Sequence, residues 1–122
     1  MARLRLTGPA KRDIASILDW SAKHFGDAGR RRYEALIETA LRDVATEPLR
    51  RGSRELPPAF GQGYRMHHLR LSRDRARTAG SGVGVPRHLL VYRVVPPEMV
   101  VILRVLHDSM DLVRHLPSDL ED

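Results

Sequence analysis

The sequence predicts an α+β fold of two layers in the order β-α-α-β-β-β, with an N-terminal helical hairpin packed on a mostly antiparallel four-stranded sheet. Apolar residues between positions 14 and 44 recur at intervals of three and four, which is the spacing of amphipathic helices. Residues 87–95 and 100–107 are instead dominated by β-branched and aliphatic residues, a composition typical of buried strands. Covering one face of such a sheet with the two helices gives a two-layer domain.

Length and composition predict one domain, residues 1–122. A chain of 122 residues can build a single modest core, and no internal repeat or low-complexity linker divides it. The sequence contains no run near the roughly 20 apolar residues of a membrane helix, and no secretory-signal pattern. It also lacks cysteine. We therefore expect a cytoplasmic protein with no membrane association.

The charge is strongly basic, with 21 Lys and Arg against 15 Asp and Glu and a net charge of +6. Only Lys11 and Lys23 are lysines, so the basic residues are almost all arginine. Arginine binds phosphate and carboxylate groups through two parallel hydrogen bonds, which indicates either a nucleic acid or an acidic protein as partner. A GC-rich genome would explain arginine in place of lysine, but not the excess of positive charge.

The first strand and helix follow directly from the N-terminal sequence. Residues 2–6 alternate weakly between apolar and basic side chains, as in a short edge strand. Thr7 or Gly8 suits the N-cap of a helix, and Pro9 suits its first turn. The apolar stripe of this helix comprises Ile14, Ile17, Leu18, Ser21 and Phe25, with Trp20 on its flank.

Gly26 ends the first helix, and Asp27 can cap a second one. The second stripe comprises Tyr33, Leu36, Ile37, Ala40, Leu41 and Val44. So short a connection predicts two antiparallel helices. The run Arg30-Arg31-Arg32 opposes the helix dipole mildly, and we interpret it as a solvated surface at the tip of the hairpin.

The remaining strands are expected at residues 64–71, 87–95 and 100–107, separated by loops at 48–63 and 72–86 and by a turn at Pro96-Pro97-Glu98. Hairpin-like connections make these three strands antiparallel. The last strand, Val100–His107, should be central and covered on both faces. Arg104 within it needs a partner because a buried guanidinium is costly, and Asp108 or Asp111 could supply one. The tail adds the apolar residues Met110, Leu112, Val113 and Leu116 and an acidic end.

The chain carries no familiar enzyme motif, so catalysis would depend on isolated basic residues. His67 and His68 point to opposite sides of a strand, and we expect neither a metal site nor a cofactor. A metal-independent nuclease could use His107 as general acid or base and Arg104 to stabilise the transition state. Residues three apart face opposite ways in a regular strand, so this pair shares a site only if the strand bends.

Three stretches resemble the ParE toxins of the RelE/ParE superfamily. The most specific is the ending Ile102-Leu103-Arg104-Val105-Leu106-His107-Asp108-Ser109-Met110-Asp111, followed by His115-Leu116. The opening matches at Leu6-Thr7, Ala10, Asp13-Ile14-Ala15-Ser16-Ile17, Phe25-Gly26 and Tyr33, and the penultimate strand matches at Leu90-Val91-Tyr92-Arg93-Val94. The stretch from Ser72 to Pro86 is longer than the hairpin turn typical of such toxins, and its role is open.

This resemblance implies the toxin of a type II toxin–antitoxin system, held inactive in a hetero-oligomer by a ParD-like antitoxin. Such an antitoxin is a ribbon-helix-helix protein with an acidic or amphipathic C-terminal segment. ParE-like toxins inhibit DNA gyrase, which favours a binding protein over an enzyme. RelE-like relatives instead cleave mRNA on the ribosome, and that alternative assigns catalysis to His107 and Arg104.

The implied antitoxin-binding surface is the helical hairpin together with the edge of the sheet. Its expected contacts are Leu4, Leu6, Ile14, Trp20 and Leu36. A positive domain should attract an acidic antitoxin segment that folds on binding. A third possibility, a plain nucleic-acid-binding protein, depends on the net charge alone.

Overall fold

The computed structural model describes residues 1–77, 82–96 and 98–109. The expectations for Pro97, for part of the 72–86 loop and for the tail from Met110 onward lie outside these residues. The strands are β1 (Arg3–Leu6), β2 (Arg54–Glu55), β3 (Tyr64–His68), β4 (His88–Val95) and β5 (Met99–His107). The helices are α1 (Gly8–Thr46), α2 (Arg73–Ala76) and two 3-10 turns at Pro58–Phe60 and Leu69–Ser72.

The five strands form one mixed sheet in the order β1-β5-β4-β3-β2. β1 lies parallel to β5, and the other neighbours are antiparallel. The predicted fold class is therefore confirmed, with one strand more than expected. The additional strand, β2, has only two residues, Arg54 and Glu55, and both are polar and exposed.

Helix α1 reverses direction at Gly26 and forms the predicted hairpin. Gly26 has φ 74° and ψ −176°, which no right-handed helix contains. A straight helix of 39 residues would be about 58 Å long. However, Ala2 donates its backbone N–H to the carbonyl of Ala45 at 2.9 Å, and only the short strand β1 separates Ala2 from the start of α1. The two ends of α1 therefore lie close together.

The predicted helix start is also confirmed, because Thr7 caps α1 and joins it to the sheet. Its Oγ1 accepts the backbone N–H of Ala10 at 3.1 Å and donates to the carbonyl of Leu103 at 2.8 Å. Thr7 is almost fully buried. Pro9 occupies the first turn, where its missing N–H costs nothing.

β5 is central and covered on both faces, as predicted. Its helix-side residues Val100, Ile102 and Val105 join a core cluster with residues of both halves of α1. On the opposite face, Val101, Leu103 and Leu106 pack with residues that include Leu56, and Phe60 packs at the edge of that cluster. Within the described residues, no helix combines the length and apolarity needed to cross a membrane.

Most of the predicted helical stripe lies in the helix-side core. Leu18, Ser21, Leu36, Ile37, Ala40 and Val44 are buried, and Ile14, Ile17, Tyr33 and Leu41 pack at its margin. The assignment of Phe25 to this stripe is wrong, since 62% of it is exposed. Phe25 directly precedes the reversal at Gly26, where the helix no longer follows the surface of the sheet.

Candidate functional site

A β-bulge in β5 decides where Arg104 and His107 point. Val91 of β4 is opposite Arg104, but the next residue, Tyr92, is opposite Ile102, so Leu103 has no partner in β4. One extra residue reverses the alternation of side chains beyond it. The extra residue precedes Arg104, and from Arg104 to His107 the pairing with β4 is regular. His107 therefore lies on the helix side, whereas Arg104 shares the register position of Val91 on the other face, although its guanidinium reaches Asp13 of α1. The bulge does not supply the bend that a shared site of the two residues requires.

Arg104 forms an ion pair with Asp13 of α1. Its Nε donates to Asp13 Oδ2 at 2.7 Å and its Nη2 donates to Oδ1 at 3.0 Å. The backbone N–H of Val105 also donates to Oδ2, at 2.9 Å. The sequence predicted Asp108 or Asp111 as partner. The described partner is Asp13, Asp108 contacts other residues, and Asp111 lies outside the described range.

His107 belongs to an aromatic cluster with Tyr33 and His88. The rings of His88 and His107 meet edge to face with centroids 5.2 Å apart, and those of Tyr33 and His88 meet similarly at 5.5 Å. Arg87 donates its backbone N–H to the Tyr33 hydroxyl at 3.2 Å, leaving that hydroxyl free to donate to His88 Nδ1 at 2.6 Å. Burial lowers the pKa of His88 to about 4, assisted by the neighbouring His107. His88 is therefore neutral at pH 7.

The ring orientation of His107 is fixed by Ser109. The backbone N–H of Ser109 donates to His107 Nδ1 at 3.1 Å, and the Ser109 hydroxyl lies 2.6 Å from the same atom. An N–H can only donate, so Nδ1 carries no proton and the neutral ring is protonated at Nε2. Any proton transfer by His107 must use Nε2. Arg104 lies three residues back, about 10 Å along the strand, and is bound to Asp13.

Asp108 holds the ends of three strands together. Arg87 donates to its two carboxylate oxygens at 2.9 to 3.2 Å, and His68 Nε2 lies 3.0 Å from Oδ2. His68 Nδ1 accepts the backbone N–H of Arg70, so the Nε2 proton points at Asp108. The hydrogen bonds from His68 and Arg87 lower the pKa of Asp108 to about 2.

A buried Asp-Ser-His contact resembles a catalytic triad but has the wrong order. Ser72 donates to Asp43 Oδ2 at 2.5 Å, and His67 Nε2 lies 2.9 Å from Ser72 Oγ. Serine is thus in the middle, whereas nucleophile activation requires histidine between serine and aspartate. Ser72 and His67 are fully buried, and Asp43 is also bound by Arg75 at 2.6 Å. This network fastens the segment after β3 to α1.

A groove of about 810 Å³ opens beside the histidine cluster. Its walls are the two halves of α1, the start of β4, the end of β5 and residues 82–85. A second cavity of about 340 Å³ adjoins it and shares Arg32, Gly82 and Val83 as lining residues. The two cavities adjoin at these three residues, and we call the pair the hairpin groove.

The five predicted antitoxin contacts occupy different environments. Leu4 is 36% exposed on the edge strand, and Trp20 is 53% exposed on α1. Leu6 and Ile14 are partly buried against the core. Leu36 is only 1% exposed and packs in the core, so it offers almost no surface for such a contact.

Sequence reasoning missed the residues that position Arg104 and His107. Asp13 looked like an ordinary polar residue of the first helix, and Tyr33 looked like part of an apolar stripe. His88 could have been found by counting back from the turn between the last two strands, but the bulge shifts that count by one residue.

The chain matches known toxins in sequence and in structure. Residues 4–112 match the family model described as the ParE toxin of the type II toxin–antitoxin system parDE. No curated protein sequence matches the chain significantly.

Several solved structures share the fold, among them the following two. A chain of the toxin–antitoxin complex RelBE2 from Mycobacterium tuberculosis superposes with a TM-score of 0.51 at 25% identity, covering 87% of this chain and 96% of that chain. A copper-bound mutant toxin from Helicobacter pylori gives a TM-score of 0.52 at 22% identity, covering 89% and 97%. Because the family model spans most of the chain, this protein belongs to the ParE toxin family of type II toxin–antitoxin systems.

Proposed function

We propose that the protein is a cytoplasmic toxin that inhibits DNA gyrase by binding it, and that a ParD-like antitoxin neutralises the toxin in a hetero-oligomer. The observation that carries the proposal is that both residues considered for catalysis, Arg104 and His107, are bound to other groups of the protein. Arg104 is neutralised by Asp13, and His107 has Nδ1 occupied by Ser109. A metal-independent nuclease needs an available cation and a proton-transfer group at one phosphate. The separation of Arg104 from His107 favours a toxin that acts by binding its target and not by cleaving RNA.

The antitoxin is proposed to bind at the open edge of the sheet and across the adjoining face of α1. Alternate residues of β1 bond to β5, as shown by Arg3 N–H to Glu98 at 2.8 Å and Thr7 N–H to Ile102 at 3.0 Å. The backbone groups of Leu4 and Leu6 therefore point outward. A segment of the antitoxin can add there as a strand, with Trp20 and the exposed part of Ile14 as apolar contacts.

Leu4→Pro tests this edge directly. Proline removes the outward N–H of Leu4 but none of the bonds between β1 and β5, so the fold should tolerate it. We expect at least a tenfold loss of affinity for the cognate antitoxin, measured by isothermal titration calorimetry. Leu4→Val retains the N–H and serves as the matched control. Equal antitoxin affinity of the two variants would contradict strand addition.

Inhibition of gyrase is tested by a supercoiling assay with purified gyrase and antitoxin-free protein. We expect supercoiling to fall as toxin is added and to recover when the antitoxin is added in excess. Full supercoiling activity at a large excess of folded toxin would exclude gyrase as the direct target.

The alternative function is a ribosome-dependent mRNA endoribonuclease of the RelE type. The observation that favours it is the position of His107 in the wall of the hairpin groove, where an RNA strand could reach its ring. This function requires the Nε2 atom of His107 to transfer a proton. His107→Ala would then abolish toxicity and mRNA cleavage while preserving the fold.

A further inference from the structure

We propose that the hairpin groove binds single-stranded nucleic acid, with a base stacked on Trp20 and phosphate groups bound by Arg31, Arg32 and Arg73. The proposed site shares Trp20 with the proposed antitoxin surface but otherwise lies away from the sheet edge, and it does not depend on gyrase inhibition. It depends on three features of the groove. These are its exposed aromatic rings, its cluster of arginines, and the lining residue Arg32, which the aromatic and the arginine-lined cavities share.

The aromatic feature is a stacked surface pair on α1. Trp20 and His24 are parallel to within 21°, with ring centroids 4.1 Å apart, and His24 Nδ1 lies 2.9 Å from the Trp20 carbonyl. Phe25 meets Trp20 edge to face at 5.7 Å. Although these rings contact each other, Trp20 is 53% and Phe25 62% exposed. Exposed, preorganised rings are the platform on which proteins stack unpaired bases.

The charged feature lies at the other end of the groove. Arg31, Arg32 and Arg73 line the 340 Å³ cavity, whose other walls are mostly alanine and glycine. No Asp or Glu is found among the described residues that line either cavity. Three guanidinium groups around a small depression without carboxylates suit a phosphate chain, which carries one negative charge per nucleotide.

The two features belong to one path. Trp20, Phe25 and Arg32 line the larger cavity together, and Arg32 also lines the smaller one. A strand lying in the groove can therefore stack a base on Trp20 while its neighbouring phosphates reach the three arginines. Ser16 adds an exposed hydroxyl group along the wall that can bond to a base or a sugar.

An acidic peptide would satisfy the arginines but would not explain the exposed ring stack. An antitoxin helix is amphipathic and is expected to bury aliphatic residues. At the groove, the wall instead offers aromatic faces beside cations, a combination characteristic of single-strand recognition. We therefore favour nucleic acid, and binding of an acidic peptide becomes one outcome of the test.

The test uses the antitoxin-free full-length chain and two unstructured probes, oligo(dT) and oligo(U) of about ten nucleotides. Trp20 is the only tryptophan in the sequence, so its intrinsic fluorescence reports stacking directly. We expect both probes to quench this fluorescence at saturation. Preference for one probe would identify DNA or RNA as the ligand. Polyglutamate is the third probe, and equal or tighter binding of polyglutamate would overturn the proposal.

Matched variants locate the site. Binding of labelled oligonucleotide is followed by fluorescence anisotropy at several salt concentrations for a double variant, Arg31→Gln with Arg32→Gln. We expect a loss of affinity of at least tenfold and a salt dependence shallower by about 1.4 in log–log slope, from two lost phosphate contacts. The control is Arg51→Gln with Arg54→Gln, which removes the same charge from exposed positions beyond the opposite end of the hairpin.

Trp20→Ala tests whether a base stacks on the Trp20 ring. Loss of one stacked base should weaken oligonucleotide binding by about tenfold without changing the salt slope. Circular dichroism verifies that each variant is folded. Equal affinities for the two double variants, or unchanged tryptophan fluorescence at saturating oligonucleotide, would each overturn the proposal.

Discussion

Asp13 links the helical layer to the bulge in β5. It binds both the guanidinium of Arg104 and the backbone N–H of Val105, and the side chains of the ion pair are only 15 to 16% exposed. Removing one partner of a largely buried pair leaves a charge without compensation, which costs about 3 kcal/mol. The structure of this short segment therefore depends on one carboxylate supplied from 92 positions earlier in the chain.

We expect Asp13→Ala to lower the free energy of unfolding by about 3 kcal/mol, measured by urea denaturation. Asp19→Ala removes an exposed carboxylate from the same helix and should change stability by about 0.5 kcal/mol or less. Similar losses in the two variants would show that Asp13 has no special structural role.

His67 makes stability dependent on pH. Burial lowers its pKa to about 4, and its Nδ1 has no hydrogen-bond partner among the described residues. Since the unfolded chain binds a proton below pH 6.5 and the folded chain only near pH 4, stability falls as the pH decreases through this window. For His67 alone the loss between pH 7 and pH 5 is about 2 kcal/mol.

The prediction is checked by urea unfolding at pH 7 and pH 5. We expect His67→Gln to reduce the pH-dependent loss by about 2 kcal/mol, whatever its effect on stability at pH 7. His24→Gln changes a surface histidine and leaves His67 in place, so it is the matched control. An unchanged pH dependence in the His67 variant would contradict the assignment.

At the scale of elements, the hairpin depends on the backbone conformation of Gly26. Its φ of +74° is costly for any residue with a side chain, by about 1 to 2 kcal/mol. A methyl group at Gly26 would meet no atom within 4 Å, so conformation alone should decide the effect of a substitution. Gly29 acts differently, because an added Cβ would lie 2.4 Å from Cβ of Phe25.

We expect Gly26→Ala to lower the melting temperature, with a loss of about 1 to 2 kcal/mol in the free energy of unfolding. Gly84→Ala also places its methyl group in open space but at a position without positive φ, so it should be neutral. If the two variants unfold at the same temperature, the positive φ of Gly26 does not limit stability.

The helices were more predictable than the details of the last two strands. Thr7, Pro9 and Gly26 mark helix boundaries by their own chemistry, and the structure confirms each of them. The bulge at Leu103 has no comparable local cause. It is stabilised by Thr7 and Asp13, both distant in sequence, so counting from the turn pairs His88 with Leu106 instead of His107.

At the scale of the whole molecule, the sequence predicted the fold class and the family, but placed the candidate site residues less accurately. The nearly continuous apolar run of residues 99–107 identified β5 as a buried strand, because a strand that is covered on both faces is apolar at successive positions. The helical periodicity could not show that Leu36 is buried and Trp20 is exposed, because both are apolar residues of helical segments. The two-residue strand β2 was missed because its polar residues gave no periodic signal.

The arginines of the molecule fall into two groups, those in close ion pairs and those that line a cavity. Arg75, Arg87 and Arg104 are paired with Asp43, Asp108 and Asp13, respectively. Arg31, Arg32 and Arg73 instead surround the smaller part of the hairpin groove. The second group is the one that the proposed single-stranded nucleic acid would contact.

The central claim, that this toxin acts on gyrase without chemistry of its own, is tested most directly by one supercoiling assay. Wild-type protein and His107→Ala are titrated side by side against purified gyrase, with supercoiled product measured on agarose gels. We predict that both inhibit supercoiling at the same concentration, because His107 has no catalytic role in a binding mechanism. Undiminished supercoiling with wild-type toxin, combined with mRNA cleavage that His107→Ala abolishes, would contradict the account.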